Sequence, residues 1–425
     1  MPHPDRIDTL IVGAGQAGLA TSYWLTQYGY PHLVLEQAAI PGHVWRDDRW
    51  DSFTLNTPNW MTRLPGAPYH GDAPDAYLPR DEIVALFADY AARFHLPIHF
   101  GARGLAVEPA GDGARFRVQT ETAQYEADNV VVASGLYQRP RVPDYHASLP
   151  AAITQLTTST YRHPESLPPG AVLVVGSARS GCQIAEELYQ SGRQVYLCVS
   201  RAGRLPRRYR GLDSLAWRYL IGEFDRPVSQ LKDPAERFAA NPHISGRDGG
   251  HTINLHRFAR AGVTLLGRLR GANDGRLALA PDLRENLVAA DNLDARFREN
   301  IDRFVEQAGI DVPQEDLPSL TDGFAQMERT ELDLAAADIR TVIWAIGYTY
   351  DFSLIKFPVF DATGYPVQLA GITHCPGLYF VGLPWLRTHG SGLLYGVGDD
   401  AAWIATDISR RSRQRTPSAP SVATI

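Results

Sequence analysis

The 425-residue sequence predicts an α/β fold of two three-layer units, the second inserted into the first. Three observations predict it. An apolar strand running into a glycine-rich turn occurs twice, with the turn openings at Gly13 and Gly176. Each turn is followed by a helix-period segment, a glycine stop and another apolar strand. Apolar strands at 341–347 and 378–382 then return after the second repeat has ended. This order is that of two Rossmann-like dinucleotide-binding units, the first of them discontinuous.

The first unit begins with Asp8-Thr-Leu-Ile-Val-Gly13-Ala-Gly15-Gln16-Ala17-Gly18, a full G-x-G-x-x-G. The first glycine makes the tight turn, the second lets a pyrophosphate approach the backbone, and the third lets helix and strand close up. The phosphates then meet the positive end of the helix. A helix is expected over 19–28, a stop at Gly29 and a strand over 32–36. Glu36 ends that strand, where a carboxylate accepts hydrogen bonds from ribose hydroxyls. A helix near 81–94 and strands near 115–118 and 130–133 follow. The proline-rich stretch 164–170 marks a crossing between units.

The second unit opens with Ala171-Val-Leu-Val-Val-Gly176-Ser177-Ala178-Arg179-Ser180-Gly181, a helix over 183–190, Gly192 and a strand over 194–199. Ala178 replaces the middle glycine, and its methyl sits where a pyrophosphate approaches most closely. The strand ends in Ser200 and Arg201 instead of an acid. A carboxylate there repels a 2′-phosphate and an arginine pairs with it, which favours NADPH over NADH. Arg204, Arg207, Arg208 and Arg210 read as a solvated loop. An amphipathic helix is expected over 282–308, serving either an interface between copies or its own core. The tail 409–425 reads as mobile.

Composition bounds the function. Hydrophobic residues make up 44% and charged residues 21%, an ordinary globular balance. A net charge of -6 argues against a nucleic-acid partner. No apolar run is long enough for a membrane helix, and the short polar segment 1–8 is not a secretory signal. Cys182, Cys198 and Cys375 form no C-x-x-C pair, which fits a cytoplasmic protein and excludes an electron relay through paired thiols. No metal site is expected. His95 and His99 are four apart, but Pro97 lies between them and both read as structural.

Further segments carry a family resemblance. Pro41-Gly-His-Val44-Trp45 is similar to a G-G-x-W element, and 49–58, with Asn56, resembles a segment that passes over a flavin. Ala133-Ser134-Gly135 and Ala345-Ile346-Gly347 resemble paired A-T-G strand ends, and 377–382, closing on Gly382, resembles a last flavin-domain strand. Over 8–408 the chain thus resembles the class B flavin-dependent monooxygenases. The resemblance implies FAD held by 1–165 and 326–425, and NADPH held by an inserted domain at 166–325. It implies hydride transfer to the flavin, a C4a-(hydro)peroxyflavin, and transfer of one oxygen atom of O₂ to a small organic substrate, by N- or S-oxygenation or hydroxylation.

It also implies the site. Gly13, Gly15, Gln16, Ala17, Gly18, Glu36, Gln37, Val44, Trp45, Asn56, Ala133, Ser134, Gly135 and Gly382 are expected around FAD. Gly176, Ser177, Ala178, Arg179, Ser180, Gly181, Ser200, Arg201, Ile346 and Gly347 are expected around NADPH. Asn56 is the expected catalytic side chain, since an amide both donates and accepts; its other reading is a turn residue before Pro58. Trp45 lies beside the flavin or simply in the core. Arg387 and His389, after the last strand, meet a substrate or cofactor anion or belong to a glycine-shaped loop. The glycine-rich segment 241–251 reads as a lid.

The sequence departs from the family between the domains. In the register set by Tyr161, Thr157 stands where the family has a histidine tied to NADP handling, Ile153 where it has glycine and Ala151 where it has phenylalanine. With Ala178, this keeps an NADPH oxidase or flavin reductase releasing H₂O₂ open. Baeyer–Villiger oxygenation of a ketone and a flavin-bound regulatory module are further alternatives.

Overall fold

The computed structural model describes residues 5–111, 115–240 and 242–415. Asp5–Val12 is the central strand of the first sheet, parallel to His32–Glu36 on one side and to Gln124–Val132 on the other. Ile98–Phe100 extends the sheet beyond His32–Glu36, and Leu378–Phe380 lies parallel against Gln124–Val132. An antiparallel meander, Gly104–Pro109 with Phe116–Thr120, joins Gln124–Val132. Leu10, Ile11, Val130 and Val131 have no exposed surface, as expected of parallel strands covered on both faces.

The second sheet is all parallel, in the order Thr154–Thr157, Ile339–Trp344, Ala171–Val175, Val195–Cys198 and Thr264–Leu266. This corrects the expected boundaries. Thr154–Thr157 and Ile339–Trp344 were assigned by sequence to the first unit, yet Ile339–Trp344 lies near the middle of the second sheet, with Val342 opposite Leu173 and Ile343 opposite Leu156. Val342 and Ile343 are fully buried. A strand apolar on both faces reads the same whichever sheet receives it.

Both glycine turns lead directly into helices, Gln16–Gln27 and Arg179–Gln190, each a turn earlier than the apolar periodicity indicates. The long helix is Leu283–Ala308. Its apolar side is spent inside this chain: Phe297, Ile301 and Val305 join Leu205, Tyr209, Trp217 and Met61, while Leu283 and Leu287 join the main core.

Two further expectations are corrected. Residues 409–415 of the tail continue the helix Val397–Arg415, where Asp407 accepts from Arg410 and Arg411, both at 2.6 Å. Residues 1–4 and 416–425 lie outside the described residues. The arginine run is not a solvated loop. Arg207 is buried, Arg204 pairs with Asp291 at 2.6 Å and Asp294 at 3.4 Å, and Arg210 pairs with Asp302 at 3.0 Å. These last acids lie on the long helix, about ninety positions downstream, where inspection of the run does not show them.

Candidate functional site

The first turn is built as its glycines require. Gly13 has φ +106°, and a Cβ on it would stand 2.9 Å from the carbonyl oxygen of Ala133. A Cβ on Gly18 would overlap the carbonyl oxygen of Gly13. Gly15 differs. Its φ is −79°, open to any residue, and a Cβ there would meet no protein atom within 4 Å. The fold itself does not demand glycine at 15, so the clear space in front of it fits a ligand approaching the backbone.

Glu36 lies buried at the strand end beside this turn. It accepts from the backbone N–H of Ala14 at 2.8 Å and Ala38 at 2.9 Å, and it pairs with His43 Nδ1 at 3.1 Å. Burial pushes its carboxyl up, but the hydrogen bonds from His43, Ala38 and Ala14 outweigh that and hold it below the usual range. His43 is raised in turn, chiefly by its bond to Glu36. Gln37 is exposed and reaches His43 at 3.1 Å. Gly42 donates to the carbonyl of Ala14 at 2.9 Å, which ties the short helix carrying Val44 and Trp45 to the turn. Trp45 is half-buried against Phe53 and Phe87. Ala133, Ser134 and Gly135 end the neighbouring strand, and a Cβ on Gly135 would also meet open space. Gly382, with φ +79°, lets the last strand pass Ala17, and Gln16 donates across to the carbonyl of Gly392.

The second turn copies the first. Gly176 has φ +107°, with the Ala345 carbonyl oxygen 2.5 Å from where a Cβ would stand, and a Cβ on Gly181 would overlap the Gly176 carbonyl. Ala178 takes Gly15's place with φ −72°. Ser177 Oγ accepts from the N–H of Ser200 at 2.9 Å and holds the strand end against the turn. Ile346 and Gly347 follow Ala345, and Ile346 is 36% exposed. Arg201 lies at the rim with its side chain 73% exposed, paired with Glu285. Arg179 opens the helix.

Asn56 links the two units. It is buried, its Oδ1 accepts from Gln183 Nε2 of the second-turn helix at 2.8 Å, and its carbonyl accepts from Arg207 at 2.9 Å. The bond from Gln183 orients the amide, which leaves its N–H₂ and the second lone pair of Oδ1 to offer a ligand. Arg207 is itself fixed by Asp213 at 2.6 Å and by the Tyr77 hydroxyl at 2.9 Å, and it stacks over the Tyr77 ring. Ser245 N–H bonds the carbonyl of His251 at 3.1 Å, and Gly246 lies against the Leu55 carbonyl, where a Cβ would overlap it. Of the expected lid 241–251, residues 242–251 therefore close on the first unit beside Asn56, and Asn241 lies outside the described residues. Below the turn, His243 Nε2–H donates to the carbonyl of Ser177. Burial holds this imidazole down to about 4, so it is neutral. Trp50, Ser52, Thr54, Gln183, Glu186, Ser245 and Arg247 line a small pocket along this seam.

Arg387 and His389 have charged partners within the chain, Asp400 at 3.9 Å and Glu223 at 3.5 Å. Arg387 lies over Trp403, and His389 stacks on Trp385 with ring centroids 4.5 Å apart. Their backbone pairs with the inserted unit: Val228 N–H bonds Arg387, His389 N–H bonds Arg226, and Gly390 N–H bonds Phe224. Thr157 Oγ1 bonds Ser159 at 2.9 Å, while Tyr161 donates to buried Glu187 at 2.8 Å. Sequence reasoning missed Gln183, His243 and the Tyr77–Arg207–Asp213 group. The i, i+4 spacing of Arg179 and Gln183 on one helix was the available signal for Gln183; the others depend on contacts distant in sequence. Among the described residues no cluster suited to a metal ion occurs, and no helix is long and apolar enough to cross a membrane.

A family model described as pyridine nucleotide-disulphide oxidoreductase matches residues 10–215. A CzcO-like oxidoreductase of Geobacillus kaustophilus is 32% identical over 404 residues, which is 95% of this chain and 98% of that protein. Indole-3-pyruvate monooxygenase YUCCA1 of Oryza sativa subsp. japonica is 33% identical over 209 residues, 48% of this chain and 51% of its own length. The fold is shared with a flavin-containing monooxygenase from Stenotrophomonas maltophilia at a TM-score of 0.66 and 20% identity, covering 96% of this chain and 99% of that one.

Proposed function

The chain belongs to the CzcO-like, class B monooxygenase-like flavin-dependent oxidoreductases, and from that membership we propose that it uses NADPH and O₂ to oxygenate a small organic substrate. FAD and NADPH are the cofactors. When bound, they supply the hydride, the electron store and the activation of O₂. The observation that carries the reading is the pair of glycine turns with Asn56 held between them by Gln183.

The first turn's backbone N–H groups hold the FAD pyrophosphate, with Gly15 giving it clearance and Glu36 accepting from the ribose. Gln37, Val44, Trp45, Ala133, Ser134, Gly135 and Gly382 border the same ligand. The second turn holds the NADPH pyrophosphate through residues 176–181, beside Ile346 and Gly347. Ser200 and Arg201 take the 2′-phosphate, Arg201 exchanging Glu285 for it. Asn56 would offer its N–H₂ to the reacting ends of the bound cofactors, and the seam closed by 242–251 would help keep water from them. The FAD unit is 5–153 with the part after 345; the NADPH unit is the second sheet and its insert.

An NADPH oxidase is the second reading, favoured by Thr157, whose hydroxyl is turned to Ser159 and Thr160. Anaerobic reduction by NADPH followed by rapid mixing with O₂ decides between them. A spectral transient before oxidised flavin returns supports oxygenation. Direct reoxidation with stoichiometric H₂O₂ supports the oxidase. Failure of NADPH to reduce the flavin refutes both.

A further inference from the structure

Glu186 is a buried carboxylate in the seam between the units, 5% exposed, on the helix Arg179–Gln190. It follows Gln183 by three positions, so the two side chains leave the helix on one face. Its partner is His251, at the end of the segment that closes the seam. Nε2–H of His251 donates to both carboxylate oxygens, at 2.8 and 2.9 Å. The other ring nitrogen, Nδ1, faces the carbonyl of Arg247 at 3.2 Å. An imidazole with an acceptor at each nitrogen is fully satisfied only when both carry a proton. The bond to Glu186 raises it above its ordinary 6.5, against the pull of burial. The other charges around the ring are Arg247 and Asp248 of its own segment, 3.5 Å apart, and Arg208, which bonds the carbonyls of Gly249 and Gly250 at 2.9 and 3.0 Å. Cys182 and Tyr189 are the titratable neighbours of Glu186 on its own helix.

The pair runs from solvent to the interior. The His251 side chain is 26% exposed and that of Glu186 7%. Glu186 then lines the seam pocket, together with Gln183, Ser52, Thr54, Ser245 and Arg247. The pocket has about 10 Å³ of room for the centre of a water molecule, enough for one. Its walls can hold that water: three hydroxyls stand with the carboxylate, and Ser52 Oγ is enclosed with no partner among the described residues. Gln183 bonds Asn56, so the pocket lies between Glu186 and the amide of the site.

Oxygenation takes up one solvent proton per turnover: NADPH, H⁺, O₂ and substrate give NADP⁺, oxygenated substrate and H₂O. The oxidase reaction, which gives NADP⁺ and H₂O₂, takes up the same proton. We propose that His251, Glu186 and one water held in this pocket form the path by which that proton reaches the site at Asn56. The imidazolium gives its Nε2 proton to the carboxylate, and the carboxylate gives it to the water. The water passes a proton on towards Asn56, and solvent reprotonates the imidazole. The path is left as it began. The inference rests on the reading that places the reacting ends of the cofactors at Asn56. An ion pair that only locks 242–251 in place needs no polar pocket behind its acid.

The test uses the full FAD-loaded chain, its flavin reduced photochemically and mixed rapidly with O₂. The result then does not depend on NADPH, whose failure to reduce the flavin counts against the proposed function alone. Reoxidation is expected to slow about tenfold in His251→Ala and to recover with added imidazole. In the unaltered chain it should slow as pH rises through the raised value of His251, and Glu186→Gln should move that fall back towards 6.5. Ser52→Val fills the pocket and should slow reoxidation about tenfold. Nitrogen-15 NMR of the oxidised protein should show the His251 ring doubly protonated at neutral pH, and equally so in Ser52→Val. Unchanged reoxidation in both His251→Ala and Ser52→Val overturns the proposal. So does a loss in His251→Ala that imidazole does not restore and that follows a fall in Tm, which makes the pair a lock. A singly protonated His251 at neutral pH overturns it without recourse to turnover.

Discussion

The two glycine turns have one backbone and two chemistries. Gly13 and Gly176 differ by a degree in φ, at +106° and +107°, and Gly18 and Gly181 are each closed by the carbonyl of the glycine that opens the turn. The residue between them is extended in both, at −79° in Gly15 and −72° in Ala178. What differs is the bracing. The first turn is held by an ionised carboxylate, Glu36, with two backbone donors and a histidine. The second is held by a hydroxyl, Ser177, and a neutral imidazole, His243. The two turns share a backbone geometry and differ in the side chains that brace it.

The largest effects are expected where the turns are alike. Gly18→Ala and Gly181→Ala each force a methyl into a carbonyl, and each should cost about 3 kcal/mol in chemical denaturation. A large difference between them would break the equivalence. Bound flavin should fall in Gly18→Ala and survive in Gly181→Ala.

Removing the bracing separates the turns. Glu36→Leu leaves two buried N–H groups without acceptors and should cost about 2 kcal/mol even without flavin. Arg201→Gln breaks an exposed ion pair and should change stability by less than about 0.5 kcal/mol. Its effect should appear instead as about a tenfold loss of preference for NADPH over NADH in steady-state kinetics.

The middle position gives a smaller contrast. Gly15→Ala should leave the fold intact and weaken flavin retention about tenfold, since the methyl enters ligand space alone. Ala178→Gly should lower the KM for NADPH by about threefold. An unchanged KM would show that the methyl of Ala178 does not hold the nucleotide off.

The gentlest probe is pH. His43 titrates above its ordinary 6.5, so the stability it lends is present below that value and lost as pH rises through the raised one. Glu36 titrates below its ordinary 4.5, so its share is present above that and lost in acid. His243 is depressed to about 4, so its share is present above 6.5 and lost as pH falls towards 4. Tm against pH should therefore fall on the alkaline side through the first turn and on the acid side through both. His43→Gln should flatten the alkaline arm, and His243→Gln part of the acid arm.

Much of this was legible in the residues. The glycine spacing, Glu36 and the strand His32–Glu36 are local signals, and the long helix Leu283–Ala308 begins within one residue of its expected start. What was not legible depended on partners far along the chain. Nothing in Val342 or Ile343 says which sheet takes them, and Arg207 looks like its four neighbours until Asp213 and Tyr77 close on it. Asn56 was visible as a candidate, while the Gln183 amide that orients it sits 127 positions away.

The backbone bonds between 224–228 and 387–390 carry a mechanical consequence. They fasten the inserted unit to the loop behind the last strand of the first sheet, while the buried Arg207–Asp213 pair and Gln183 fasten it again through Asn56. Two separated anchors resist rotation as one does not. Swinging one unit from the other would leave the Arg207–Asp213 pair intact but break the bonds from Arg207 to the Asn56 carbonyl and the Tyr77 hydroxyl, each about 1.5–3 kcal/mol as a bond to a charged group. The two units are therefore held in a fixed relation, and an exposed side chain such as Arg201 is what can move without breaking either anchor.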